Sequence, residues 1–289
     1  MTIRQVAVVG AGVMGRGVTA ALVRSGIEVT LVDLSTEILA DARRGIRDDL
    51  RAATLLLGRP TLSTAESLAL VTTVNDLDRV STADLVIENV TERFDVKAPV
   101  HQALDRSCRP DVVIAVNTSA IRIKRLASLV SHPERVVGMH FMNPAAVKTT
   151  VEVIRGPASS PSAINAGVSF LRRIGKESVV VNDSAGFVTN RVMMLTINEA
   201  ILIAEQEVAT CADIDRLFVE CFGHRMGPLQ TADLIGLDTV KLSLDVLLDD
   251  LKDERFRPAS LLEQLVAEGR HGRKTGRGFF SYGSPAGAG

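Results

Sequence analysis

Four polar residues stand where an apolar core would not require them, and their types suit acid–base chemistry. They are Ser119, after the apolar run 112–116; His140, at the end of the run 136–140; Glu152, inside the run 151–154; and Asn190, at the start of a helical pattern. A histidine and a glutamate in buried strands need partners, because an unpaired buried charge costs several kcal/mol. The simplest solution is that His140 and Glu152 pair with each other. In such a dyad the carboxylate fixes the imidazole tautomer, and the sequence therefore predicts a general acid–base pair.

The first 33 residues hold a pattern typical of dinucleotide binding. An apolar strand over 3–9 runs into the glycines of 10–15, a helix follows over 13–25, and a second strand over 27–32 ends at Asp33. The glycines allow a tight turn, close approach to a pyrophosphate and close helix–strand packing, and the helix N-terminus attracts phosphate. Asp33 would bind the ribose hydroxyls of NAD and repel the 2′-phosphate of NADP. The predicted cofactor is therefore NAD, without a metal ion, held by Gly10, Gly12, Val13, Met14, Gly15 and Asp33.

Strand and helix signals alternate through the first part of the chain and then give way to helices alone. Further strands are expected at 69–73, 85–88, 112–116 and 136–140, and a helical hairpin near 35–70 has its tip at 58–60. After 179–181, the helical patterns are 187–208, 211–221, 228–235, 237–251 and 258–268. We therefore predict an α/β fold with a Rossmann-type doubly wound parallel sheet in a domain over 1–184, and a C-terminal all-α domain over 185–289.

One helix of the second domain carries more apolar residues than a single buried face needs. These residues are Met193, Met194, Ile197, Ile201 and Ile203. A helical domain with surplus apolar surface usually buries it against a second copy. We therefore expect a homodimer formed through the C-terminal domain, which would also contact the substrate.

The overall composition excludes several classes of partner. The 289 residues carry a formal net charge of −1, which argues against nucleic acid or an anionic membrane as the main partner. No uninterrupted apolar run approaches ~20 residues, so no membrane span is expected. The three cysteines show no metal-ligand spacing, and with no signal peptide they fit a cytoplasmic protein.

Taken together, the motifs resemble those of the L-3-hydroxyacyl-CoA dehydrogenases, a family that includes bacterial 3-hydroxybutyryl-CoA dehydrogenases. The matching segments span nearly the whole chain: 10–15, 117–119, 140–144, 151–154, 186–191, 226–228, 233–238 and 272–279. The resemblance implies an NAD-dependent oxidoreductase acting on a 3-hydroxyacyl thioester. It implies that His140 is the general base, that Glu152 is its partner, and that Ser119 and Asn190 position the substrate oxygen. It also implies that the nicotinamide side is lined by Glu92, Lys97, Ser119 and Asn143.

Only the resemblance assigns Glu92 and Lys97 to the cofactor site. Their spacing by itself favours a solvated surface pair. Other positions depart from the family pattern: Asn89 replaces a common Ala, Ala145 and Ala146 follow Asn143-Pro144, and the hairpin tip 58–60 lacks a usual Lys. These departures concern the acyl and carrier end of the substrate.

A cluster of cationic residues is compatible with two different carriers of the substrate's acyl group. Arg122, Lys124 and Arg125 follow Ser119 and are predicted to lie on a helix, with positions 122 and 125 on one face. They suit either a CoA phosphate or an acidic acyl carrier protein, as in polyketide extender-unit pathways. A dehydrogenase of free hydroxy or sugar acids and a non-enzymatic NAD-binding protein are the remaining alternatives. Chain length and physiological direction are not readable from the sequence.

Overall fold

The computed structural model describes residues 3–58 and 60–283, which divide into two compact units between Ser184 and Ala185. Arg59, at the predicted hairpin tip, lies outside the described residues. Within the described parts of the chain, no helix is both long enough and apolar enough to cross a membrane.

The first unit is built on one eight-stranded sheet. Its strands are β1 Gln5–Val9, β2 Glu28–Val32, β3 Val71–Val74, β4 Leu85–Glu88, β5 Val113–Val116, β6 Val136–His140, β7 Thr150–Arg155 and β8 Glu177–Asn182. The spatial order is β3-β2-β1-β4-β5-β6-β7-β8. The first six strands are parallel, and every residue of β4, β5 and β6 is buried, as expected of strands covered on both faces.

The predicted doubly wound sheet is confirmed, although its last two strands run in the opposite direction. β7 pairs antiparallel with β6, and β8 runs parallel to β7. The reason lies in the connections. Residues 141–149 contain no helix that could carry the chain back to the other end of the sheet, whereas a helix separates β7 from β8. Because of this reversal, the end of β6 lies beside the start of β7.

Among the described residues, six helices accompany the sheet: α1 Val13–Arg24, α2 Thr36–Leu57, α3 Thr64–Ala69, α4 Phe94–Ser107, α5 Ile123–Ala127 and α6 Pro161–Arg173. Ser63 caps α3 in a capping box with Glu66. The strand expected from residue 69 begins only at Val71, because α3 continues to Ala69. Arg122 is the N-cap of α5 and its ψ of 136° lies outside the helical range, so the prediction that Arg122 and Arg125 share a helical face is wrong.

The second unit is helical: α7 Thr189–Glu205, α8 Cys211–Phe222, α9 Pro228–Ile235, α10 Leu237–Leu251 and α11 Ser260–Ala267. Short 3-10 helices occupy Leu77–Thr82 and Pro133–Arg135 in the first unit, and Glu254–Phe256 and Arg273–Thr275 in the second. Of the apolar residues that suggested a surplus on α7, Met194, Ile197 and Ile201 are buried in this unit's own core, whereas Met193 is 40% exposed.

Candidate active site

The glycine turn after β1 is shaped by what a side chain would meet there. Gly10 has a φ of +95°, and a Cβ on it would lie 2.8 Å from the carbonyl group of Asn89. A Cβ on Gly15 would collide with the carbonyl oxygen of Gly10. At Gly12, in contrast, a Cβ would meet nothing within 4 Å. Two glycines are therefore required for packing, and the third leaves space beside the backbone where a pyrophosphate fits.

The same turn offers hydrogen-bonding groups of the kinds that a dinucleotide needs. Gly12 is the N-cap of α1 and provides no side chain to cap the first turn, so the helix end is available to an anion. Asp33 accepts from the backbone N–H groups of Ala11 at 2.8 Å and Ser35 at 3.2 Å. A carboxylate accepts about four hydrogen bonds, so Asp33 keeps capacity for ribose hydroxyls. Leu34, 89% exposed, offers no cation to a 2′-phosphate. These residues fit NAD.

His140 and Glu152 form a hydrogen-bonded pair across two strands. They are directly opposite each other in the β6·β7 register, which places both side chains on one face of the sheet. His140 Nδ1 lies 2.9 Å from Glu152 Oε2, and both residues are 5% exposed. An ionised carboxylate only accepts hydrogen bonds, so Nδ1 carries the proton of the neutral imidazole. The pairing therefore leaves a lone pair on His140 Nε2.

Ser119 contacts that second nitrogen. It follows β5, and its Oγ lies 3.1 Å from His140 Nε2. With the tautomer set by Glu152, the serine hydroxyl donates to the imidazole. Ser119, His140 and Glu152 thus form one hydrogen-bonded chain at the carboxyl ends of β5 and β6, the edge where ligands of open α/β sheets bind. An acid–base device at this position can exchange a proton with a bound hydroxyl or carbonyl group.

The other predicted site residues have different surroundings. Asn143 is exposed in the connection after β6. Asn190 is the second residue of α7 in the second unit, and its Nδ2 has no hydrogen-bond partner among the described residues. Glu92 lies just before α4 and accepts hydrogen bonds from the segment around Ser119.

The spacing of Lys97 from Glu92 suggested a solvated surface pair, but Lys97 is not part of one. It is 0% exposed, and its Nζ donates to Glu88 Oε1 at 2.8 Å, Glu88 Oε2 at 3.0 Å and the carbonyl oxygen of Asn117 at 3.1 Å. The Glu92 Oε2 atom lies 3.8 Å from the same ammonium group. Lys97 is therefore a buried link between the ends of β4 and β5.

Two further members of this cluster were missed by sequence reasoning. Glu88 and His101 are 0% exposed, and His101 Nε2 lies 3.1 Å from Glu88 Oε2. Burial alone would raise the pKa of Glu88, but the Lys97 ammonium and the His101 bond together hold this pKa below its usual value. A signal for His101 exists in the helical spacing of Lys97, His101, Leu104 and Cys108, which recur at intervals of four, three and four along one face.

Asn117 connects this cluster to the histidine strand and was also missed. Its Oδ1 accepts from the N–H of Phe141, next to His140, at 3.0 Å, and its Nδ2 donates to Asn89 Oδ1 at 2.7 Å. One amide side chain therefore ties together the ends of three neighbouring strands, β4, β5 and β6.

Comparison with known proteins identifies the two units. The family described as "3-hydroxyacyl-CoA dehydrogenase, NAD binding domain" matches residues 5–184, and "3-hydroxyacyl-CoA dehydrogenase, C-terminal domain" matches residues 186–282. The chain belongs to the 3-hydroxyacyl-CoA dehydrogenase family. As a member of that family it is an NAD-dependent oxidoreductase, with NAD as its cofactor.

Relatives within the 3-hydroxyacyl-CoA dehydrogenase family are similar over nearly their whole length. A probable 3-hydroxybutyryl-CoA dehydrogenase of Bacillus subtilis is 38% identical over 283 residues, which cover 98% of each chain. Human mitochondrial hydroxyacyl-coenzyme A dehydrogenase is 34% identical, over 97% of this chain and 91% of the human one. The crystal structure of (S)-3-hydroxybutyryl-CoA dehydrogenase PaaH1 from Ralstonia eutropha matches with a TM-score of 0.92 at 36% identity, covering 98% of this chain and 100% of that one.

Proposed function

We propose that this dehydrogenase interconverts a short-chain 3-hydroxyacyl-CoA thioester and the corresponding 3-oxoacyl-CoA. The observation that carries the proposal is the hydrogen-bonded chain of Ser119, His140 and Glu152. This chain lies at the carboxyl ends of strands in the same sheet whose first strand leads into the dinucleotide turn. The names of its relatives, 3-hydroxybutyryl-CoA dehydrogenases among them, support the substrate class. The direct test is oxidation of NADH in the presence of acetoacetyl-CoA. Absence of turnover with acetoacetyl-CoA would contradict the proposal.

His140 is the proposed general base. Its Nε2 lone pair accepts the proton of the substrate's 3-hydroxyl group, and the Glu152 carboxylate stabilises the resulting imidazolium through Nδ1. NAD, when bound, supplies the acceptor for the hydride that leaves the carbon bearing this hydroxyl group. In the reverse direction the imidazolium returns its proton to the carbonyl oxygen.

Ser119 and Asn190 are proposed to hydrogen-bond the substrate oxygen. Ser119 already lies within hydrogen-bonding distance of the base, so an oxygen that binds Nε2 also meets the serine hydroxyl. For Asn190 the support is the family resemblance. Ser119→Ala and Asn190→Ala should each lower kcat more than they change the affinity for NADH. An unchanged kcat in either variant would remove that residue from the mechanism.

Coenzyme A is the proposed carrier, and an acyl carrier protein is the competing one. The argument for a carrier protein used Arg122 and Arg125 as a pair on one helical face, but Arg122 precedes α5 and Arg125 stacks over the Phe94 ring at 4.1 Å. Initial rates with acetoacetyl-CoA and with the same acyl group on a carrier protein decide between them. A much higher kcat/KM for the carrier-linked thioester, decreasing with salt, would favour the carrier protein.

Discrimination between NAD and NADP is proposed to depend on Asp33. A 2′-phosphate would approach a carboxylate that already accepts two backbone hydrogen bonds, beside an exposed Leu34. We expect kcat/KM to be far higher with NADH than with NADPH. Comparable values for the two cofactors would contradict the assignment.

We also propose that the second unit pairs with the same unit of a second copy. Its exposed apolar side chains include Val192 on α7 at 59% and, on α8, Leu217 at 54% and Phe222 at 70%. Exposed apolar residues of this size support an interface. Sedimentation equilibrium should give twice the 30.9 kDa chain mass. A monomer at micromolar concentration would rule the pairing out.

A further inference from the structure

Glu92 gathers three hydrogen-bond donors from the segment that carries Ser119. Its Oε1 accepts from the Thr118 hydroxyl at 2.5 Å, from the Ser119 backbone N–H at 2.9 Å and from the Ala120 backbone N–H at 3.0 Å. Bonds from donors to an ionised acceptor are stronger than neutral ones. A single carboxylate oxygen therefore determines the course of the backbone on both sides of Ser119.

The carboxylate is itself anchored from below. Its other oxygen, Oε2, lies 3.8 Å from the Lys97 ammonium, which is fully buried and bonded to Glu88 and to the Asn117 carbonyl oxygen. The Glu92 side chain is 34% exposed, so it lies between the buried Lys97 cluster and the crevice. The segment 117–120 is thus held by Lys97 at its start and by Glu92 through its remainder.

We propose that Glu92 is a positioning residue for the reaction and that it acts through Ser119, by aiming the Ser119 hydroxyl at His140 Nε2. The backbone of a serine sets the direction of its Cα–Cβ bond and so the positions open to Oγ, and here two consecutive backbone N–H groups bond to Glu92. This assignment rests on the proposed function of Ser119. It differs from the role implied by the family resemblance, in which Glu92 lines the nicotinamide side, and the two roles predict different kinetics.

The first experiment separates those two roles. Glu92→Ala should lower kcat by up to about 100-fold, the cost of a displacement on the order of 1 Å in a reacting group. The Kd for NADH, measured by fluorescence titration, should change little. Glu92→Gln should retain most of the activity, because its amide oxygen still accepts the backbone N–H groups. A weakened NADH Kd with an unchanged kcat would overturn the proposal in favour of a cofactor contact.

A double-mutant cycle with Ser119→Ala tests whether Glu92 acts through Ser119. If it does, adding Glu92→Ala to Ser119→Ala should lower kcat no further. If the two losses multiply, the proposal is overturned while the role of Ser119 stands. If Ser119→Ala alone leaves kcat unchanged, the proposed role of Ser119 fails and this inference falls with it.

Hydrogen exchange provides a readout that does not depend on turnover. In Glu92→Ala the amides of Ser119 and Ala120 should exchange faster, while those of β5 keep their protection. The matched control is Asp95→Ala, which removes a nearby acid whose side chain is 64% exposed and pairs with Arg93; its kcat and exchange should equal those of the wild type. If Glu92→Ala does not fold, Glu92→Asp shortens the side chain by one methylene and should show the same losses. Unchanged exchange at positions 119 and 120 in the folded variant would contradict the proposal.

Discussion

Two glutamate–histidine pairs lie in the first unit, and they differ in what surrounds them. Glu152 and His140 are 2.9 Å apart, and Glu88 and His101 are 3.1 Å apart. All four residues are buried. A carboxylate beside an imidazole is therefore not by itself a mark of catalysis.

The distinction lies in the second nitrogen of each histidine. His140 Nε2 contacts the Ser119 hydroxyl, at the edge of the sheet where ligands bind. His101 Nδ1 has no hydrogen-bond partner among the described residues, so His101 is best satisfied as a neutral imidazole that donates from Nε2 to Glu88. Glu88 also has the Lys97 ammonium as its counter-charge. The first pair can exchange a proton with a ligand, whereas in the second the charge of Glu88 is balanced by Lys97 and His101 only donates a hydrogen bond.

The largest expected effect comes from exchanging the same residue in both pairs. His140→Gln should lower kcat by about 10²–10⁴-fold, the usual contribution of a general base. His101→Gln should leave kcat within a few-fold and lower the melting temperature instead. Steady-state kinetics and thermal unfolding of the two variants provide the comparison. Equal losses of kcat would show that the two pairs do not differ in function.

The counter-charge can be tested by removing it. Lys97→Met leaves the Glu88 carboxylate buried without its ammonium, and breaking a buried ion pair in this way costs about 3–5 kcal/mol. Chemical denaturation should show this loss. The double variant Lys97→Met with Glu88→Leu should recover much of the stability, since neither charge of this pair then remains buried. A double variant less stable than the single one would contradict this account.

A second buried lysine sharpens the comparison, because its acceptors are carbonyl groups. Lys176 donates to the carbonyl oxygens of Ala145 at 2.8 Å and Lys148 at 2.6 Å, and burial lowers its pKa to about 8. Between this value and the pKa of 10.5 expected when unfolded, the unfolded chain binds more protons, so stability rises with pH.

Relative to Lys176→Met, the wild type should therefore gain up to about 3 kcal/mol of unfolding free energy between pH 8 and pH 10.5. Urea denaturation of both proteins across this range measures the difference, in which other titrating groups cancel. A wild-type stability that falls relative to the variant would mean that the ammonium form is the one the fold prefers.

The smallest predicted effect concerns the two carboxylates. Glu152→Gln removes a charge-assisted hydrogen bond from the base, which is worth about 1.5–3 kcal/mol and so corresponds to roughly a 10- to 100-fold loss of kcat. Glu88→Gln should change kcat much less, because its partner His101 has no nitrogen at the edge of the sheet where ligands bind. A larger kcat loss from Glu88→Gln than from Glu152→Gln would reverse the assignment of the pairs.

Local patterns predicted the parts of the structure that depend on local sequence. The glycine turn and most strands follow from periodicity and from residues such as Gly10, whose type suits only a few conformations. The pairing of His140 with Glu152 also followed from the sequence, because two buried polar groups on neighbouring apolar strands need partners.

Long-range contacts account for what the sequence did not reveal. The spacing of Lys97 from Glu92 by itself favours a solvated surface pair, whereas the partner of Lys97, Glu88, comes from β4 and its other acceptor from the end of β5. The direction of β7 was not anticipated either, because it depends on a connection that carries no helix. The role of Arg122 failed at a helix boundary, which sequence patterns locate poorly.

The antiparallel register of β6 and β7 makes the dyad a property of strand alignment. Side chains alternate between the faces of a strand, so sliding β7 by one residue would turn Glu152 to the opposite face and set Val151 or Val153 against His140. Insertions and deletions within 141–149 are thus of two kinds: those that the connection absorbs, and those that move the strand. The second kind would leave the turn at Gly10 unchanged, and would separate cofactor binding from turnover in a single step.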